Sequence, residues 1–128
     1  MKQEDKELAL KDLCGRLPYG VKCAYFNTKD EIKVGELLAV WCKEKRIFID
    51  KLSIDYDGGD CIGIIPYLFP LSRMTPKQKA ELSMLVVGEE DLFKSFLIEV
   101  EFYHKHHIDY RGLIPKGLAI DATGLNIY

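Results

Sequence analysis

No part of this chain stays apolar long enough to cross a bilayer. Its longest uncharged stretch, "CIGIIPYLFPLS", carries two prolines and falls far short of the roughly 20 residues that a spanning helix needs. The N-terminus "MKQEDKELALKDL" is charged from its second residue and lacks the continuous apolar segment of a signal peptide, so a cytoplasmic location and no membrane partner are expected. An excess of positive charge is missing too. With 18 Lys and Arg against 20 Asp and Glu, and a pI of about 5.9, strong nucleic-acid binding is not expected without a local basic patch. The four cysteines, Cys14, Cys23, Cys42 and Cys61, form no C-x-x-C pair, which removes the zinc knuckle and the dithiol redox motif. They read as small buried residues rather than disulfides. There is no G-x-S-x-G elbow and no H-E-x-x-H. "DGGD" lacks the lysine and Ser/Thr of a P-loop and the alternating acids of an EF-hand, so it reads as a hairpin turn.

What is present is enough apolar residue, 48%, for a chain of 128 residues to build one core without staples. A single domain over residues 1–128 is expected, in four parts: an N-terminal helix (1–16), a β-rich part (17–66), a helical part (67–108) and a docked tail (109–128). In "DKELALKDLC" the spacing of Leu10, Leu13 and Cys14, continued by Leu17, predicts a short amphipathic helix with Gly15 as its stop. "LPYG" reads as a turn. The runs "VKCAYF", "IKVGELLAVWC", "IFIDKLSIDY" and "CIGII" read as consecutive antiparallel strands, with Asp50 and Lys51 interrupting the third. Thr75, Pro76 and Gln78 predict a capped helix start with a capping box. "EEDLFKSFLIEVEFYHKHH" begins with acids and ends with Lys105, His106 and His107, which favours a helix over the strand that alternation in "FLIEVEFY" also permits. The expected fold is therefore α+β: a small curled antiparallel sheet or SH3-like barrel, an N-terminal helix, two helices in the C-terminal half and an irregular docked tail.

All three histidines fall within "HKHH". On a helix His104 and His107 share a face, with Glu101 three residues before the first. Glu101, His104, His107 and Asp109 form the one candidate metal set, for a metal-dependent enzyme. A catalytic zinc would need three of them to converge beside an open position. The competing reading has the histidines closing a helix C-terminus, and no cofactor is expected. "PYLFPL" presents Tyr67 and Phe69 between prolines, either as core or as a contact ridge. The tail "DYRGLIPKGLAIDATGLNIY" carries Leu113, Ile114, Leu118 and Ile120, which require burial, while Tyr110 and Arg111 stand at the helix exit.

"RLPYGVK" at 16–22, "PYLFPLSRMT" at 66–75 and "HHIDYRGLIPKGLA" at 106–119 together resemble an uncharacterised family of small proteins from gut anaerobic bacteria and their phages. The resemblance spans nearly the whole chain. It implies a cytoplasmic accessory protein of phage or mobile-element origin, with no activity attached. In that family the position of Phe69 is often basic, and His104 lies outside the recurring motif. The residues and the resemblance together favour a non-enzymatic binding or adaptor module with a protein partner, contacted through Tyr67, Phe69, Tyr110 and Arg111. The alternatives are the metal-dependent enzyme and a nucleic-acid-binding small barrel.

Overall fold

The computed structural model describes residues 3–26, 31–41, 46–49, 52–55 and 64–128. Helix α1 (Gln3–Arg16) carries Glu4 and Asp5 in its first turn and Arg16 in its last, the order its dipole favours. It runs through Gly15 instead of stopping there. The reason is a close approach: a Cβ on Gly15 would stand 2.6 Å from His104 Cε1, so glycine lets α1 lie directly against that imidazole. The helix gives way to a 3-10 turn, Leu17–Tyr19, closed by Gly20 at φ 68°.

Strands β1 (Lys22–Phe26), β2 (Ile32–Trp41), β3 (Arg46–Ile49) and β4 (Leu52–Asp55) pair antiparallel in sequence order. "IFIDKLSIDY" is thus two strands, with Ile49 opposite Leu52. A register shift between Leu37 and Ala39 bends β2, as an inserted residue does. Most of the expected strand "CIGII" and the whole "DGGD" turn lie outside the described residues. The next strand, β5 (Ile65–Pro70), instead takes in the aromatic stretch, and it pairs antiparallel with β1 through Ala24 and Cys23.

Beyond β5 the chain forms helices α2 (Pro76–Val86) and α3 (Leu92–Lys105), then the two-residue strands β6 (Ile108–Asp109) and β7 (Ile120–Asp121), both parallel to β5. Parallel neighbours need a long crossover, and the α2–α3 hairpin supplies it between β5 and β6. The sheet is therefore mixed, not purely antiparallel, and its order β4-β3-β2-β1-β5-β6 is an open path rather than a closed barrel. The tail is docked, as expected, but two short pieces of it are strand.

α2 starts on the full capping box: Thr75 Oγ1 accepts from Gln78 N, and Gln78 Oε1 accepts from Thr75 N. Asp91 caps α3 by accepting from Phe93 N at 2.9 Å, and residues 96–103 lie within that helix. Alternation along the strands divides the core in two. Cys23 and Tyr25 join Leu13, Leu37, Ile47, Ile49, Leu68 and the tail residues Leu113 and Leu118 on one face. Ala24, Tyr67 and Ala122 form a smaller cluster on the other, with Phe69, Ile120 and Ile127 packed against it.

Candidate functional site

The junction of α1, the end of α3 and β6 holds four buried polar side chains, Asp12, Arg16, His104 and Asp109. Asp12 and Arg16 are four residues apart on α1, so both point the same way, and Arg16 Nε donates to Asp12 Oδ2 at 2.7 Å with neither side chain exposed. Arg16 also donates from Nη2 to the Ile108 carbonyl at 2.7 Å, tying α1 to β6. From the outer side Arg111 brings Nε to 3.3 Å from Asp12 Oδ1, with its guanidinium 5.1 Å from the Tyr110 ring centre. The Tyr110 hydroxyl meets His104 Nε2 at 2.9 Å. Tyr110 and Arg111 thus both touch the buried polar cluster from its outer side, and the Arg111 side chain keeps 32% of its surface open.

Glu101, His104, His107 and Asp109 do not converge as a metal set. Glu101 is exposed on α3, and His104 is engaged with Tyr110. His107, at φ 57°, stacks on Tyr128 with ring centres 3.8 Å apart. Both Asp109 oxygens are occupied: Oδ1 accepts from Leu113 N and Arg111 N, and Oδ2 accepts from Ile114 N. Among the described residues no group of three His, Cys, Asp or Glu side chains is arranged to hold a metal ion. Thiolate chemistry at Cys23 is equally disfavoured, because burial, helped by the Asp12 charge, pushes its thiol up to about 12.

Both inner histidines are held neutral. Burial first, then the charges of Arg16 and Arg111, bring His104 down to about 4 against the opposing pull of Asp12. Burial, Arg16, His106 and Lys22 do the same to His107, also to about 4. The unfolded chain takes up these protons near 6.5, the folded one only near 4. Their contribution to stability is therefore complete above about 6.5 and is lost as pH falls from there toward about 4. Melting temperatures measured from pH 8 downward should stay level and then decline through that window, with a shallower decline in His104→Gln. A flat profile between neutrality and pH 5 would contradict the buried neutral pair.

Tyr67 is buried in the small cluster, and its carbonyl accepts from the Tyr128 hydroxyl at 2.6 Å. Phe69 is half-buried, with its ring 5.9 Å from that of Tyr128. Both serve the docking of the tail. Of the four residues read as contacts, none stands on an open apolar surface.

Such a surface lies elsewhere, on the α2–α3 hairpin. No residue of α2 is fully buried, and α3 buries only Phe102 and His104 near its C-terminal end. Leu92 is 87% exposed, Phe93 69%, Phe96 58% and Leu97 44%, while Met84 and Val87 stand open on α2 and just after it. The helical period of these residues is legible in the sequence, but their exposure is not. Among the described residues, little packs on the outer side of the first half of α3, as the exposure of Leu92, Phe93 and Phe96 shows. On the inner side of the hairpin, α2, α3 and Tyr19 enclose an open groove of about 720 Å3 with Met84, Leu85, Ile98 and Phe102 among its walls and Lys77, Glu101 and Lys105 at its rim. No helix among the described residues is long and apolar enough to cross a membrane. Comparison with protein-family models, curated proteins and solved structures gives no match to this chain.

Proposed function

We propose that this chain is a non-enzymatic, cytoplasmic binding module that takes a protein partner on the outer flank of the α2–α3 hairpin. The observation that carries the reading is the exposure of Leu92, Phe93 and Phe96 side by side on the first two turns of α3. Contiguous apolar surface of this kind is rare on monomers and marks interaction sites. A protein partner fits better than nucleic acid or lipid headgroups, because Glu89, Glu90 and Asp91 sit at the hairpin tip and repel phosphate. The phage or mobile-element setting rests on the motif resemblance alone.

Affinity capture from the native host tests this. Leu92→Glu combined with Phe96→Glu should remove the captured protein while leaving the melting temperature close to wild type, since both side chains are mostly exposed. Interface anchors of this size contribute about 2 kcal/mol or more, so affinity should fall at least about 30-fold. Capture of the same proteins by both forms would remove the hairpin from the interface.

A further inference from the structure

A different face of α3 carries charge as well as apolar residues, and the two kinds are spaced so that the face complements itself. Lys94, the adjacent pair Leu97 and Ile98, Glu101 and Lys105 recur at three- and four-residue spacing, so they share a side of the helix. Lys94, Glu101 and Lys105 are exposed along the full length of α3, Leu97 is 44% exposed and Ile98 is half-buried at the groove. Among the described residues Lys94, Glu101 and Lys105 make no ion pair. The acids Glu89, Glu90 and Asp91 immediately precede the helix.

We infer that this face pairs with α3 of a second copy, antiparallel, about a twofold axis passing between Leu97 and Ile98. In that single register Lys94 lies opposite the partner copy's Glu101, Leu97 opposite its Ile98, and the acidic tip beside its Lys105. Every pair occurs twice, because a twofold interface uses the same patch on both copies. Shifting the helices by one turn would set Lys94 against Lys105 and lose the match. The apolar contacts and the groove walls drive association. The exposed ion pairs, each worth little alone, select the register and orientation. Antiparallel helices also set opposite dipole ends beside one another.

Leu92 and Phe96 lie across the helix from Lys94 and Glu101 and stay open in this dimer, so the inference does not rest on the partner site proposed above. Sedimentation equilibrium of the full chain over a series reaching about 100 µM should give a monomer–dimer equilibrium. Lys94→Glu and Glu101→Lys should each weaken the dimer about 10-fold or more, since like charges then face each other twice. The double variant Lys94→Glu, Glu101→Lys should restore it. Leu97→Cys, beside the axis, should form a disulfide-linked dimer under mild oxidation that the parent protein does not form. A wild-type chain that stays monomeric throughout, a dimer indifferent to both single reversals, or a double variant that stays dissociated while folded would each overturn the inference. Phe96→Glu should leave the dimer intact, so loss of partner capture and loss of dimer are read independently.

Discussion

Arg16→Ala should lower the melting temperature by roughly 10–20 °C, the largest effect of any single substitution on α1. Arg16 and Asp12 have no exposed side-chain surface, and their 2.7 Å contact is the charged centre of the fold. Removing the guanidinium leaves the Asp12 carboxylate buried, with Arg111 at 3.3 Å as its nearest cation, and strips the Ile108 carbonyl of its donor. Breaking a buried pair from one side costs about 3–5 kcal/mol, a large share of the roughly 5–15 kcal/mol that holds a domain together. The pair itself contributes much less than that figure, because both charges had to be desolvated to form it. Asp12→Leu combined with Arg16→Met should therefore melt closer to wild type than Arg16→Ala does. A thermal melt of the three proteins decides the matter. If Arg16→Ala lies within a few degrees of wild type, α1 is held by Leu13 and its apolar neighbours alone.

The capped start of α2 was fully legible, because Thr75, Pro76 and Gln78 act within a single turn and need nothing from the rest of the chain. The α3 assignment held for a similar reason, with Asp91 at one end and Lys105 at the other. Gly15 misled because its local meaning, a helix stop, competes with a long-range one: room for His104, a residue far along the sequence. The prolines of "PYLFP" suggested a segment outside the sheet, yet β5 places one near its start and one at its end. The parallel strands β6 and β7 left almost no trace, since two residues are too few for a period to appear. In sequence Asp12 is one of several polar residues on the amphipathic helix. Its role depends on Arg16 one turn later and on Arg111 from the tail, and no window of sequence contains all three. The histidines drew attention as a group, whereas the fold separates them: His104 against Gly15 and Tyr110, His107 against Tyr128. The acid that matters in that stretch is Asp109, and its function is structural.

Asp109→Ala should release the tail before the rest of the domain melts. Asp109 is 5% exposed, and its carboxylate gathers the backbone N–H groups of Leu113 at 2.9 Å, Ile114 at 2.9 Å and Arg111 at 3.3 Å. This turn sets Leu113 into the core, and Leu118 follows it from the next. Hydrogen bonds to a charged group contribute about 1.5–3 kcal/mol each, and the donors left behind cost more where they are buried. The expected loss is several kcal/mol, beyond what truncating one half-buried aliphatic such as Ile114 would cause. Asp109→Asn keeps one acceptor oxygen and should fall between wild type and Asp109→Ala. Arg111→Ala should cost about 1 kcal/mol or less, as its side chain is partly in solvent and Arg16 still holds Asp12. Hydrogen exchange distinguishes a local from a global effect: in Asp109→Ala the amides of residues 113–122 should exchange far faster than those of β1 and β2. Should the Leu113 and Ile114 amides stay as protected as in wild type, the apolar side chains of the tail would be its only anchor, and the carboxylate would merely occupy a turn that forms without it.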